Sequence, residues 1–170
     1  HAAGVARSNT LGSAVNVLNS LTIQANNTLI GGGFAINVGD ATGNAIPGIG
    51  NWTNNGAYTT GTSTVSFVGP GAATLGGSVA TTFQNLTINK AAATNTVTIN
   101  SASAALSPTV NGILNLTSGH VFTTVGTNDL GLGTAGTVSG GSTASHVAGA
   151  VQKNYAAAGT LTFPVGDGTN

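Results

Sequence analysis

The chain has 170 residues, 40% of them apolar, and only six charged side chains: Arg7, Lys90, Lys153, Asp40, Asp129 and Asp167. Three basic residues cannot neutralise a nucleic-acid backbone. No apolar run reaches the roughly 18 to 20 residues of a membrane-crossing helix; a transmembrane barrel is the weaker alternative, since its aromatic girdles are hard to assemble from one Trp, two Tyr and five Phe.

The apolar content is enough for one buried core in a chain of this length. Low hydrophobicity with high net charge would mark disorder; here the net charge is zero and mean hydropathy is positive. Charge at 4%, against about 25% in an average soluble domain, removes the repulsion that keeps soluble monomers apart. The surface is therefore expected to meet other copies, neighbouring modules or a matrix. Cysteine is absent, which excludes disulfides, thiolate metal sites and a cysteine nucleophile. The opening HAAGVARSNT has no basic region followed by an apolar one. It also lacks a starting Met, as a mature or excised piece would.

Taken in order, residues 1–10 read as a flexible lead-in. Val15, Val17, Leu18, Leu21 and Ile23 make a strand pair or one bent strand. Thr28–Ile30 precedes Gly31–Gly33, and Phe34–Val38 alternates cleanly. Residues 39–50, with Pro47, read as a loop. Trp52 and Tyr58 flank Asn55-Gly56, Thr64–Val68 is closed by Gly69-Pro70-Gly71, and Leu75–Val79 is short. The clearest pattern runs from Phe83 to Thr117. Phe83–Asn89, Thr96–Asn100 and Val110–Thr117 alternate large apolar residues with Thr, Asn or Gln, placing Leu86, Ile88, Val97, Ile99, Ile113 and Leu116 on buried faces. His120–Val125, Asp129–Leu132, Thr137-Val138, His146–Gln152 and Thr160–Val165 follow as further short strands. Leu21-Thr22-Ile23-Gln24 resembles Leu86-Thr87-Ile88-Asn89 and, loosely, Leu116-Thr117-Ser118, a weak internal repeat. No stretch carries a helical apolar stripe.

One all-β domain over residues 11–170 follows. Two architectures compete. An antiparallel β-sandwich would use Asn55-Gly56 and Asn111-Gly112 as hairpin dipeptides. A parallel β-helix, or β-solenoid, is favoured. Its strands are short, its corner residues are spread evenly, and Thr and Asn at outward positions can stack without like-charge repulsion. At roughly 20 to 25 residues per coil, the chain makes about seven coils of about 4.8 Å each.

Chemistry is sparse. Paired carboxylates for glycosidic cleavage would have to come from Asp40, Asp129 and Asp167; each sits beside Gly, Asn or Ala and is explained by turn formation. Calcium coordination by Asn128-Asp129 or Asp167-Gly168-Thr169-Asn170 lacks an Asp-x-Asp spacing. His1, His120 and His146 are far apart in sequence, so a metal set is not expected. There is no nucleophile elbow and no P-loop lysine. Trp52 and Tyr58 could stack on a sugar, but rings tucked over the core explain them more simply. Thr60/Thr62/Thr64, Thr96/Thr98 and Thr160/Thr162 do not recur once per coil, as a lattice-matching array requires. Asn26, Asn51, Asn85 and Asn115 lie in glycosylation sequons. No catalytic, metal or cofactor residue is assigned, and the chain is expected not to be an enzyme.

The runs NWTNNGAYTTGTSTVSFVGPG (51–71), TTFQNLTIN (81–89), VNGILNLTSGHV (110–121) and LTFPVGDGT (161–169) resemble repeats of large bacterial secreted surface proteins of the parallel β-helix, adhesin-like type. The resemblance covers most of residues 50–169. It implies an extracellular structural or adhesive module, a filament, sheath or stalk, whose partners are copies of itself, adjacent modules or a surface polysaccharide. A carbohydrate-binding module and a polysaccharide-active enzyme are the rival expectations.

Overall fold

In the computed structural model, residues 5–41, 50–124 and 128–167 are described. His1, Pro47, Val125 and Gly168–Asn170, each part of an expectation above, lie outside them. The chain forms a parallel β-solenoid of about six turns. A turn consists of three short strands on three faces. The first holds β1 (Arg7–Thr10), β2 (Val15–Val17) and β3 (Leu21–Ile23). The second holds β4 (Asn27–Ile30), β5 (Ala35–Val38) and β6 (Trp52–Asn54); the third β7 (Ala57–Thr59), β8 (Thr64–Gly69) and β9 (Ala73–Gly77). Next come β10 (Thr82–Phe83), β11 (Asn85–Lys90) and β12 (Thr96–Ser101), then, after a 3-10 turn at Ala104–Leu106, β13 (Thr109–Val110), β14 (Ile113–Ser118) and β15 (His120–Phe122). The sixth holds β16 (Leu130–Leu132), β17 (Thr137–Gly140) and β18 (Val147–Ala148), and β19 (Val151–Lys153) and β20 (Val165–Gly166) begin a seventh.

Every pairing between these strands is parallel, which excludes the antiparallel sandwich. One face is a six-stranded sheet from β2 to β17, a second a seven-stranded sheet from β3 to β20, and the third is split into β1-β4-β7 and β10-β13-β16-β19. Parallel neighbours need a long crossover; here the other two faces supply it.

Register converts the apolar alternation into vertical core columns. Val15, Ile36, Val65, Leu86, Leu114 and Val138 stack in one. Their numbers put 21 to 29 residues in a turn, wider than the spacing expected from sequence. Leu21, Trp52, Leu75 and Ile99 form a second column. Ala73, Val97, Val121, Val147 and Val165 form a third. Trp52, Phe67 and Phe83 are the largest fully buried side chains. Trp52 meets the rings of Tyr58 and Phe83 edge-on at 4.9 and 5.4 Å. Its Nε1 donates to the Thr81 hydroxyl at 3.3 Å, so its one polar atom is satisfied in the core.

Several expectations change. Arg7–Thr10, read as part of a lead-in, is an exposed strand aligned on Asn27–Ile30. Of the two readings of residues 15–23, two strands or one bent strand, the structure has two strands, and only Leu18 departs from expectation, exposed at the corner between them. Ile113 is 47% exposed; Leu114 and Leu116 hold the core instead. Leu21–Ile23 and Leu86–Asn89 lie on different faces, so that repeat is not a coil repeat. The true equivalence, Leu86 with Leu114, is two residues from the one read in sequence. Of Thr160–Val165, only Val165 is in a strand.

Asn55-Gly56 and Asn111-Gly112 are corners, not hairpins. A Cβ on Gly56 would overlap the carbonyl oxygens of Asn27 and Gln24 in the coil below, so no larger residue fits that close approach.

Candidate functional site

The outward positions of the six-stranded sheet carry Asn16, Asn37, Ser66, Thr87, Asn115 and Ser139 in one column. Asn37 Nδ2 donates to Asn16 Oδ1 at 2.8 Å, one rung bonded to the next through side chains. Amide and hydroxyl stacks of this kind need no counter-charge, which is why Thr and Asn suit the outside of a parallel coil.

Charged groups are withdrawn from this wall. Asp40, Lys90 and Asp129 are only 4%, 2% and 5% exposed. Lys90 continues the inward alternation of Leu86 and Ile88 on β11, and its Nζ donates to the Val68 carbonyl at 2.7 Å. Burial lowers its pKa to about 8, because the ammonium loses solvation. Asp129 accepts a hydrogen bond from Gln152 Nε2 at 2.5 Å. The other three charges lie at the ends: Arg7 in the first coil, Lys153 and Asp167 in the last. Lys153 Nζ donates to the carbonyls of Gly133, Thr134 and Gly136 at 2.5, 2.9 and 2.7 Å, closing a corner of the coil below. Between β4 and β18 the solenoid therefore exposes no Lys, Arg, Asp or Glu.

The two ends differ from the wall. At the first coil, Leu11, Val15, Leu21, Ile23, Leu29 and Ile36 line a cavity of about 380 Å³, the core columns left open to solvent. At the last coil, Val165 ends a core column and is 53% exposed. Leu161 and Phe163, in the segment before β20, pack partly buried against the core.

No family model, no curated protein and no solved structure matches this chain.

The sequence-predicted chemical residues are distributed as follows. Trp52 is fully buried, so it offers no platform for a sugar. Tyr58 is half-buried, its hydroxyl 2.6 Å from Ser63 Oγ; burial pushes the phenol pKa up and the Ser63 hydrogen bond opposes that shift. A shallow groove on the seven-stranded face is lined by Thr53, Thr74, Asn100 and Ser101, which carry hydroxyl and amide groups, together with Trp52, Gly76, Gly77 and Ala102. Among the described residues, no three His, Cys, Asp or Glu side chains stand together as a metal set, and no helix is long and apolar enough to cross a membrane. Asp40 sits in the second coil, Asp129 at the start of the sixth and Asp167 in the last. Asn51 and Asn85, read as sequon residues, spend their Oδ1 atoms on the Thr74 and Ile113 amides.

Two features escaped the sequence reading. His120 and His146 are buried side by side, ring centroids 4.2 Å apart and planes inclined at 38°. Their nitrogens donate to carbonyls of the intervening loop, His120 Nε2 to Thr143 and His146 Nδ1 to Ser142. Their separation of 26 residues equals the step from Val121 to Val147, one turn of the coil. That coincidence is the signal that would have found them. The inward turning of Lys90 follows from the period of two on β11, which places it in phase with Leu86 and Ile88.

Proposed function

We propose that this chain is a building block of an extracellular surface structure, a filament, sheath or adhesin stalk, that works through contact between copies or adjacent modules. The observation that carries this reading is the placement of the six charges: three turned inward, three at the ends, none exposed along the intervening wall. A wall of stacked amides and hydroxyls with no net charge puts no electrostatic barrier in the way of lateral packing. Among the described residues no strand lies on the outer side of β1–β3, and an unpaired strand edge is a template for addition of another strand, from an adjacent module or another copy. The secreted setting rests on the resemblance to bacterial surface repeats given above. Binding of a surface polysaccharide is the second reading, favoured only by the groove on the seven-stranded face, where Thr53, Thr74, Asn100 and Ser101 bring hydroxyl and amide groups together.

Electron microscopy of the purified chain at neutral pH and low salt tests the first reading. Fibres or sheets are expected. Discrete particles of uniform size at every concentration would count against it.

A further inference from the structure

Resting on the second of those readings, we infer that the polysaccharide is uncharged and lies along the solenoid axis on the seven-stranded face, between a notch at Gly76 and the ring of Phe122. The first observation is register. Outward positions of this face form two columns: Thr53, Gly76 and Asn100 stand in one, and Thr74, Thr98 and Phe122 in the other. Rungs are about 4.8 Å apart, so the strip from β6 to β15 runs about 14 Å along the axis, the length of a short oligosaccharide and not of a single ring.

The second is shape. A Cβ on Gly76 would overlap the Asn100 carbonyl oxygen, and one on Gly77 would overlap that of Asn54. Close approach of the coils therefore keeps the floor bare between Thr53 and Asn100, and the groove opens there. Phe122 stands one rung beyond Thr98 and is partly exposed. Trp52 lies wholly buried under the strip, so Phe122 is the ring that the apolar face of a sugar can reach.

The third is which polar groups are free. On the six-stranded face, Asn37 is bonded to Asn16, and Asn85 to the Ile113 amide. The side chains of Thr53, Thr74, Thr98 and Asn100 make no hydrogen bond to another of the described residues. Hydroxyl and amide groups both donate and accept, as sugar hydroxyls do. With no Lys or Arg exposed between β4 and β18, nothing on this face pairs with the carboxylates of an acidic polysaccharide.

Surface plasmon resonance tests this, with dextran, mannan, mixed-linkage β-glucan and alginate immobilised in turn and the full chain passed over each. Binding to a neutral polymer is expected, unchanged by salt, with none to alginate. Asn100→Ala, at an exposed position, and Phe122→Ala, once circular dichroism confirms the β-fold, are each expected to weaken it about fivefold to tenfold. Thr87→Ala, on the six-stranded face, should leave it unchanged. Neutral binding that neither Asn100→Ala nor Phe122→Ala weakens overturns the inference. Alginate bound as tightly as the best neutral polymer also overturns it, while the polysaccharide reading survives. A chain that binds none of the four defeats both.

Discussion

Lys90 Nζ lies 2.7 Å from the Val68 carbonyl oxygen, inside a solenoid whose wall carries no charge at that level. The ammonium is held in place by a backbone acceptor and disfavoured by lost solvation. Its pKa falls from 10.5 in the unfolded chain to about 8. Between these values the unfolded state binds more protons than the folded one, so stability rises with pH. The penalty is complete below the folded value and gone above the unfolded one. Urea denaturation should show the chain gaining about 1 to 3 kcal/mol from pH 8 to 10.5. Lys90→Met should abolish that rise and stay within about 1.5 kcal/mol of wild type at pH 7. A flat profile in the wild type would show that Lys90 stays solvated.

Trp52 is the largest side chain of the core. Trp52→Ala is expected to cost about 3 to 5 kcal/mol, from the cavity and from the lost contacts with Tyr58 and Phe83. Native emission should be blue-shifted and resistant to acrylamide, as for a ring shielded from water. Oligosaccharides should leave it unchanged. A sugar-dependent shift in emission would mean that Trp52 lies on a binding surface.

Gly77 and Gly12 separate backbone constraint from mere smallness. Gly77 has φ +131°, and a Cβ there would overlap the Asn54 carbonyl of the coil below. Gly77→Ala should cost about 1 to 3 kcal/mol or more. At Gly12 an added Cβ meets nothing within 4 Å, so Gly12→Ala should be neutral or stabilise by up to about 1 kcal/mol. Thermal denaturation of the pair distinguishes them; equal effects would contradict the tight coil-to-coil approach at Gly77.

Much of the fold was readable from the period of two. Leu86/Ile88 and Val97/Ile99 are all buried, because each is flanked by polar residues that leave one phase only. Ile-Leu-Asn-Leu at 113–116 is apolar in both phases. There the Asn111-Gly112 corner decides: β14 starts after it, Leu114 and Leu116 point inward, and Ile113 is left outside with its amide bonded to Asn85 Oδ1 at 3.0 Å. Coil length was read less well, since corners absorb insertions without disturbing register: Leu21 and Trp52 are paired across an interval that includes residues 39–50. The contact between the His120 and His146 rings was invisible to motif reading for a related reason. A solenoid brings together residues one turn apart, and that distance is known only after the turn length is known.

The account depends most on the wall being adhesive because it is uncharged, and charging it tests this most directly. Asn89 and Thr98 are exposed on two different faces of the fourth coil. Sedimentation velocity over a range of concentrations should show wild-type chain associating into large species. The variant carrying Asn89→Lys and Thr98→Lys should associate at least tenfold more weakly, a change of about 1.4 kcal/mol or more, and recover in high salt. Wild type and variant both sedimenting as a single 16.3 kDa species at all concentrations would contradict the account.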